Sequence, residues 1–191
     1  MGKGETVMRI TGRKNSGRGI LDRLGLCFMV FVISVWVLTS VAQAGEVTRK
    51  FKVNNKITKM QAIPIPGSPG RVIGFYERQG DVEYEDGETA KQLLRCTFDM
   101  VRGVGPFQGY SQITFKDGSA FLIKIEGVTI KPKEGKLPTG HGTGKYIDGT
   151  GQFKGIQGKN IFKFKMLKPF AGESKGDALV EVTATYTLPG K

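Results

Sequence analysis

From Ala178 to Leu188 apolar and polar side chains take turns. Val180, Val182, Ala184, Tyr186 and Leu188 share one parity, while Glu181, Thr183, Thr185 and Thr187 share the other. Successive side chains of a strand point to opposite faces, so this is the pattern of a strand with one face buried. Asn160 to Lys165 repeats it, with Phe162 and Phe164 set against Lys163 and Lys165. Between two more such arms, Tyr110 to Phe115 and Ala120 to Ile125, lies Lys116-Asp117-Gly118-Ser119. Its Asp-Gly pair supplies the positive φ angles that a tight hairpin turn demands. Further strands are predicted at Val47 to Val53, Val72 to Glu77, Asp81 to Glu85 and Leu93 to Arg102. Helical periodicity is almost absent. Several short strands, frequent glycine and no room for crossover helices predict an all-β protein, an antiparallel barrel or sandwich.

Two stretches interrupt the rhythm. Ile63-Pro64-Ile65-Pro66-Gly67-Ser68-Pro69-Gly70 cannot donate a full ladder of hydrogen bonds and reads as an extended loop. Lys131 to Gly144, which holds Pro132, Pro138 and several glycines, reads the same way. Loops of this length at a barrel rim shape an entrance or simply connect strands.

The N-terminus follows a different pattern. Lys3, Arg9, Arg13, Lys14, Arg18 and Arg23 precede an apolar run from Leu26 to Leu38, broken only by Ser34, and small residues then lead to Ala42-Gln43-Ala44. A basic flank, a short apolar core and an A-x-A site, in that order, make a cleavable signal peptide over residues 1–44. The alternative is an uncleaved anchor, since Leu24 to Ala44 approaches the ~20 residues that span a bilayer. Met8 is a second candidate start. Cleavage after Ala44 leaves one domain, residues 45–191, in an exported protein, periplasmic or secreted, with no stable membrane span.

Cleavage also changes the composition. The leader holds 6 of the 29 basic and 2 of the 17 acidic residues, which leaves a net charge of +8. Of the 2 cysteines only Cys96 remains, so no disulfide forms within the domain. That thiol reads as a buried small hydrophobe or a ligand contact.

Charge and chemistry then narrow the function classes. Lys159, Lys163, Lys165 and Lys168 stand close together, but export argues against a nucleic-acid partner. Lipid headgroups and acidic cell-surface polymers are the anionic partners outside the cytoplasm; alternating lysines also keep strand faces soluble and blunt sheet edges. The acidic cluster Asp81 to Glu88 reads as a solvated strand and turn, with weak cation binding or pairing with another subunit as alternatives. His141, the only histidine, falls in the glycine-rich Gly140 to Gly144 stretch, and no G-x-S-x-G motif accompanies it. No C-x-x-C, H-x-x-x-H or carboxylate-rich loop points to a metal, and Gly142-Thr143-Gly144-Lys145 lacks the rest of a phosphate loop. The residues name no catalytic group, metal or cofactor.

A family resemblance enters between Leu93 and Phe164. Leu94-Arg95-Cys96-Thr97-Phe98, then Tyr110-Ser111-Gln112-Ile113-Thr114-Phe115-Lys116-Asp117-Gly118, then Ile123-Lys124-Ile125-Glu126-Gly127, occur with the spacing of allene oxide cyclases. Tyr146-Ile147-Asp148-Gly149-Thr150-Gly151-Gln152-Phe153-Lys154-Gly155-Ile156-Gln157-Gly158 resembles the I-x-G-G-x-G-x-F-x-G-x-x-G turn of the allene oxide cyclase and dirigent barrels. The resemblance implies a single eight-stranded antiparallel β-barrel with an apolar lumen, in families that commonly form trimers. Allene oxide cyclases steer ring closure of a fatty-acid epoxide and dirigent proteins the coupling of phenoxy radicals. Both act by holding a reactive molecule in one shape.

The resemblance also implies ligand contacts. Cys96 falls where the cyclases have a lumen cysteine, and Leu94, Phe98 and Met100 share its strand face. Lys52-Val53-Asn54 aligns with the cyclases' Glu-x-Asn, which adds Asn54 to Leu94, Cys96 and Phe98 as ligand-binding candidates. Lysine in place of the acid reverses the charge that would stabilise a developing cation. Alternation disagrees about the facing, because it puts Phe51 and Val53 on the apolar side. Either both faces are buried in an oligomer, or the alignment is shifted by one residue. Three readings of function follow: a barrel that binds a small apolar ligand in its lumen without catalysis, a cyclase or dirigent-like stereochemical director, and a structural module with a filled barrel. The missing acid favours the first.

Overall fold

The computed structural model describes residues 45–132, 134–168, 170–171 and 174–189. The expected leader, with its A-x-A site, Cys27 and the second start at Met8, lies outside them. Strands β1 (Glu46–Pro64), β2 (Arg71–Tyr84), β3 (Thr89–Val101), β4 (Gly105–Phe115), β5 (Ala120–Ile130), β6 (Thr139–Thr150) and β7 (Gln157–Met166) run in chain order. Two short strands, β8 (Phe170–Ala171) and β9 (Ser174–Lys175), pair only with each other, and β10 (Ala178–Thr187) follows. The sheet closes in the order β1-β10-β7-β6-β5-β4-β3-β2, an eight-stranded barrel whose neighbours are all antiparallel. Closure leaves no hydrogen-bonding edge on the paired stretches, and alternation gives every strand an inner and an outer face.

The inner parity is the apolar one. Val53, Val82 and Ile113 are at most 1% exposed, while Lys52, Asn54 and Lys56 on the other parity of β1 face solvent. β1 pairs with β10 only as far as Asn55–Ala178. Past a register shift between Ile57 and Lys59 it continues as a ribbon against β2 alone. Such a bulge bends the strand and raises its twist, which lets this end leave the barrel.

Three boundaries differ from the sequence reading. Val72 to Glu77 and Asp81 to Tyr84 belong to one strand, β2, with Glu85 in the turn that follows, because Gly80 is not a break. A Cβ there would lie 2.7 Å from the Asn55 Cβ, so the glycine lets β1 pack closely instead. The extended loop predicted from Ile63 shrinks to residues 65–70, since β1 runs on through Pro64. The loop predicted over Lys131 to Gly144 ends at Pro138, and Thr139 to Gly144, His141 included, are strand. Gly140, Gly142 and Gly144 point inward there, where a Cβ would meet the Phe164 ring at 2.3 Å, the Phe162 ring at 2.4 Å and Asn160 Oδ1 at 2.6 Å. β7 supplies the bulk that β6 leaves out.

The two ends of the barrel are built differently. At one end lie the tight connections β2–β3, β4–β5 and β6–β7, the last holding a single 3₁₀ turn (Gly151–Phe153). Phe153 is 3% exposed and plugs that end. Its ring centroid is 4.7 Å from Phe115 and 5.0 Å from Phe121, and the stacking continues through Tyr146 and Tyr186. At the other end lie the β1–β2 turn and the longer connections 131–138 and 167–177. Among the described residues no helix is long and apolar enough to cross a membrane.

Candidate functional site

Between the aromatic plug and the long connections the lumen holds a cavity of about 70 Å³. Its apolar wall includes Phe51, Leu94, Phe107, Ile113, Phe162 and Phe164. Larger hollows occur on the outer face, one of about 820 Å³, but they are open depressions bordered by charged side chains. The lumen cavity is lined mainly by packed core residues, the kind of place where a small apolar molecule gains from leaving water.

A polar strip crosses the inner face. Arg78, 5% exposed, donates from Nη1 to Asn55 Oδ1 at 2.9 Å and to the Gly176 carbonyl at 2.6 Å. Asn55 Nδ2 donates to Gln92 Oε1 at 3.2 Å, and Gln92 Nε2 donates to Ser111 Oγ at 3.0 Å. Four neighbouring strands thus contribute one polar group each. Arg78 also lies over the Tyr76 ring, 5.2 Å from its centroid. Burial works against the Arg78 charge, and Tyr76, Cys96 and Asp177 oppose that effect. Through Gly176 the guanidinium ties the 167–177 connection to the barrel interior.

Across the lumen β7 brings Asn160, 4% exposed, to the same cavity. Among the described residues its Oδ1 has no hydrogen-bond partner, nor has the Tyr146 hydroxyl beside it. Burial pushes the Tyr146 ionisation well up and Asn160 works slightly the other way. The pair is therefore close without forming a well-directed hydrogen bond. A buried acceptor left alone costs about 1–3 kcal/mol.

The sequence-derived candidates separate. Leu94 borders the cavity. Cys96 and Phe98 lie on the same inner face of β3, 3% and 5% exposed, but neither borders the open space. Burial pushes the Cys96 thiol up to about 11, with the Tyr76 hydroxyl bond and Arg78 working against it. It is therefore protonated at neutral pH. The lumen facing expected for Asn54 is corrected: the side chain is on the outer face, and Asn55 takes the inner position. Alternation from Phe51 and Val53 decides the facing, so the resemblance is offset by one residue there.

His141 is exposed on the outer face of β6. Part of the acidic cluster pairs with β1, where Arg49 bonds Asp86 and Glu88 and lies 4.0 Å over the Tyr84 ring. Among the described residues no three His, Cys, Asp or Glu side chains come together as a metal site. Asn55, Arg78, Gln92, Ser111 and Asn160 were not singled out in the sequence. The available signal was parity, because each is a polar residue on the apolar side of its strand.

The class of protein this defines is a closed, eight-stranded antiparallel barrel with a small internal cavity. The chain is similar in fold to two pterocarpan synthase dirigent proteins of known structure. One shows 13% identity and a TM-score of 0.47, covering 78% of this chain and 99% of the other. The second shows 14% identity and a TM-score of 0.44, covering 78% of this chain and 91% of the other. A DUF3224-family protein of unknown function from Shewanella oneidensis MR-1 is similar at 15% identity and a TM-score of 0.42, over 78% of this chain and 100% of the other. No family model matches the chain, and no curated protein matches its sequence.

Proposed function

We propose that this is an exported barrel that binds a small, mostly apolar molecule carrying one hydrogen-bond donor, and that it holds the molecule without catalysis. The observation that carries the reading is the apolar lumen cavity, whose lining includes Asn160, a residue with a buried Oδ1 that has no hydrogen-bond partner among the described residues. The cavity is about half the roughly 150 Å³ of an engineered apolar cavity that accepts benzene. The fit is to a compact molecule. Phe164 and Val180, the half-buried apolar residues of the lining, are the side chains that would yield to a longer one.

Electrostatics support binding over cyclase chemistry. Among the described residues no aspartate or glutamate borders the cavity, and Arg78, which Asp177 acts on electrostatically, is part of its wall. A developing positive charge would find no carboxylate among the described lining residues to stabilise it. A dirigent-like role, in which the lumen sets the shape of a reactive molecule, needs only the enclosure and is the second reading.

Native mass spectrometry of protein purified from its own compartment tests this. Wild-type protein should retain a small non-covalent adduct, and Val180→Phe and Asn160→Leu should each lose it. If wild type carries no adduct and shows no stabilisation by a panel of small alcohols and amides, the barrel is a filled structural module.

A further inference from the structure

The outer face carries an arrangement unrelated to the lumen. Lys124 on β5 is directly opposite Lys145 on β6, and Lys145 is directly opposite Lys159 on β7. All three are exposed. None lies within ion-pairing distance of a carboxylate among the described residues, whereas Arg49, Lys50, Arg71, Lys91, Arg95 and Lys168 each have such a partner. Neighbouring strands are about 4.8 Å apart, so three ammonium groups stand in a row about 10 Å long. Like charges directly opposite one another in a sheet are destabilising, and Lys145 has one on each side.

The row lies in a depression of about 900 Å³. Neutral hydrogen-bonding groups from Gln108, Thr143, Gln157, Thr185 and Thr187 surround the lysines, with Glu46 and Glu126 also in its lining. In register the row continues to Thr185 on one side and to Tyr110, 49% exposed, on the other.

We propose that this face binds an acidic polysaccharide. Three in-line ammonium groups match the regularly spaced anionic groups of a linear polymer, and the hydroxyl and amide groups match its neutral sugar hydroxyls. Tyr110 offers a flat apolar ring beside the last lysine, against which a sugar face packs. A planar membrane is a poorer partner, because a hollow holds the lysines away from a flat surface. Single-stranded nucleic acid is a poorer partner too, because its sequence-tolerant binders stack successive bases on several aromatic rings, and this row has one.

The juxtaposition gives the test two readouts of opposite sign. Removing the middle charge weakens polymer binding and relieves repulsion in the free protein. Lys145→Gln should therefore reduce affinity for polygalacturonate and for dextran sulfate about tenfold at low salt, while raising the melting temperature of the free protein. Lys159→Gln should reproduce both effects, and Lys56→Gln, on the outer face of β1, neither. Wild-type binding should fade as salt rises from about 0.05 M to about 0.5 M, and neutral dextran should not bind. The proposal is overturned if Lys145→Gln leaves affinity unchanged. It is also overturned if anionic phospholipid vesicles or an oligothymidylate bind more tightly than both polysaccharides.

Discussion

One end of this barrel is filled and the other is furnished. At the plugged end Phe115, Phe121, Phe153, Tyr146 and Tyr186 stack ring against ring, and tight turns hold the strands together. Toward the long connections the same inner parity carries Arg78, Asn55, Gln92, Ser111 and Asn160 beside empty space. The backbone is the same closed ladder throughout. The difference lies in what the inward side chains do with their volume and their polar atoms. Ring packing stabilises without asking for a partner, whereas a buried polar atom without one is costly, as at Asn160 Oδ1 and at the Tyr146 hydroxyl where the plug meets the cavity.

Phe153→Ala should have the largest effect, a loss of about 3–5 kcal/mol in chemical denaturation, since it empties the centre of the plug. A loss under about 1 kcal/mol would show that the plug is not where the stability resides. Next comes alkaline pH. The folded Cys96 thiol titrates near 11, above its unfolded value, so the folded state keeps a proton that the unfolded state releases. Stability is full below about pH 8.5 and falls as pH rises toward 11, by roughly 3 kcal/mol from this group. Raised values for Tyr76, Tyr84 and Tyr146 act in the same direction at higher pH. Urea midpoints of wild type and Cys96→Ala between pH 8 and pH 11 should converge as pH rises.

The comparison is sharpest at Asn160. Asn160→Leu keeps the side-chain size and removes the unpartnered acceptor, so the ligand-free protein should gain about 1 kcal/mol. A loss in the ligand-free protein would mean that Asn160 already has a structural partner. The smallest effect belongs to thiol chemistry. Cys96 in the folded protein should react with a maleimide far more slowly than in urea, and fast reaction would place it on an open path to the lumen.

Much of this was legible from parity. Phe51 and Val53, Leu94 to Phe98, Phe162 and Phe164, and Val180 to Leu188 identified their inner faces and the all-β class, and Asp117-Gly118 marked a hairpin. β6 was not legible. Its inward positions before Tyr146 are Gly140, Gly142 and Gly144, which carry no hydropathy signal, and they are strand residues because Phe162, Phe164 and Asn160 from β7 occupy the space a Cβ would need. Asn54 and Asn55 show the same limit at the site. The motif alignment chose one, and a period of two makes a one-residue offset a change of face.

Local pattern therefore determined which residues prefer to be buried, where the chain turns, and that its strands pair side by side. Closure of the barrel decided the rest. It brought Arg78 to Asn55 across 23 residues of chain and to Gly176 across 98. It left Asn160 facing a cavity and aligned three lysines on the outside. Those are long-range coincidences of register, set only when eight strands share one ladder, and no window of sequence contains them.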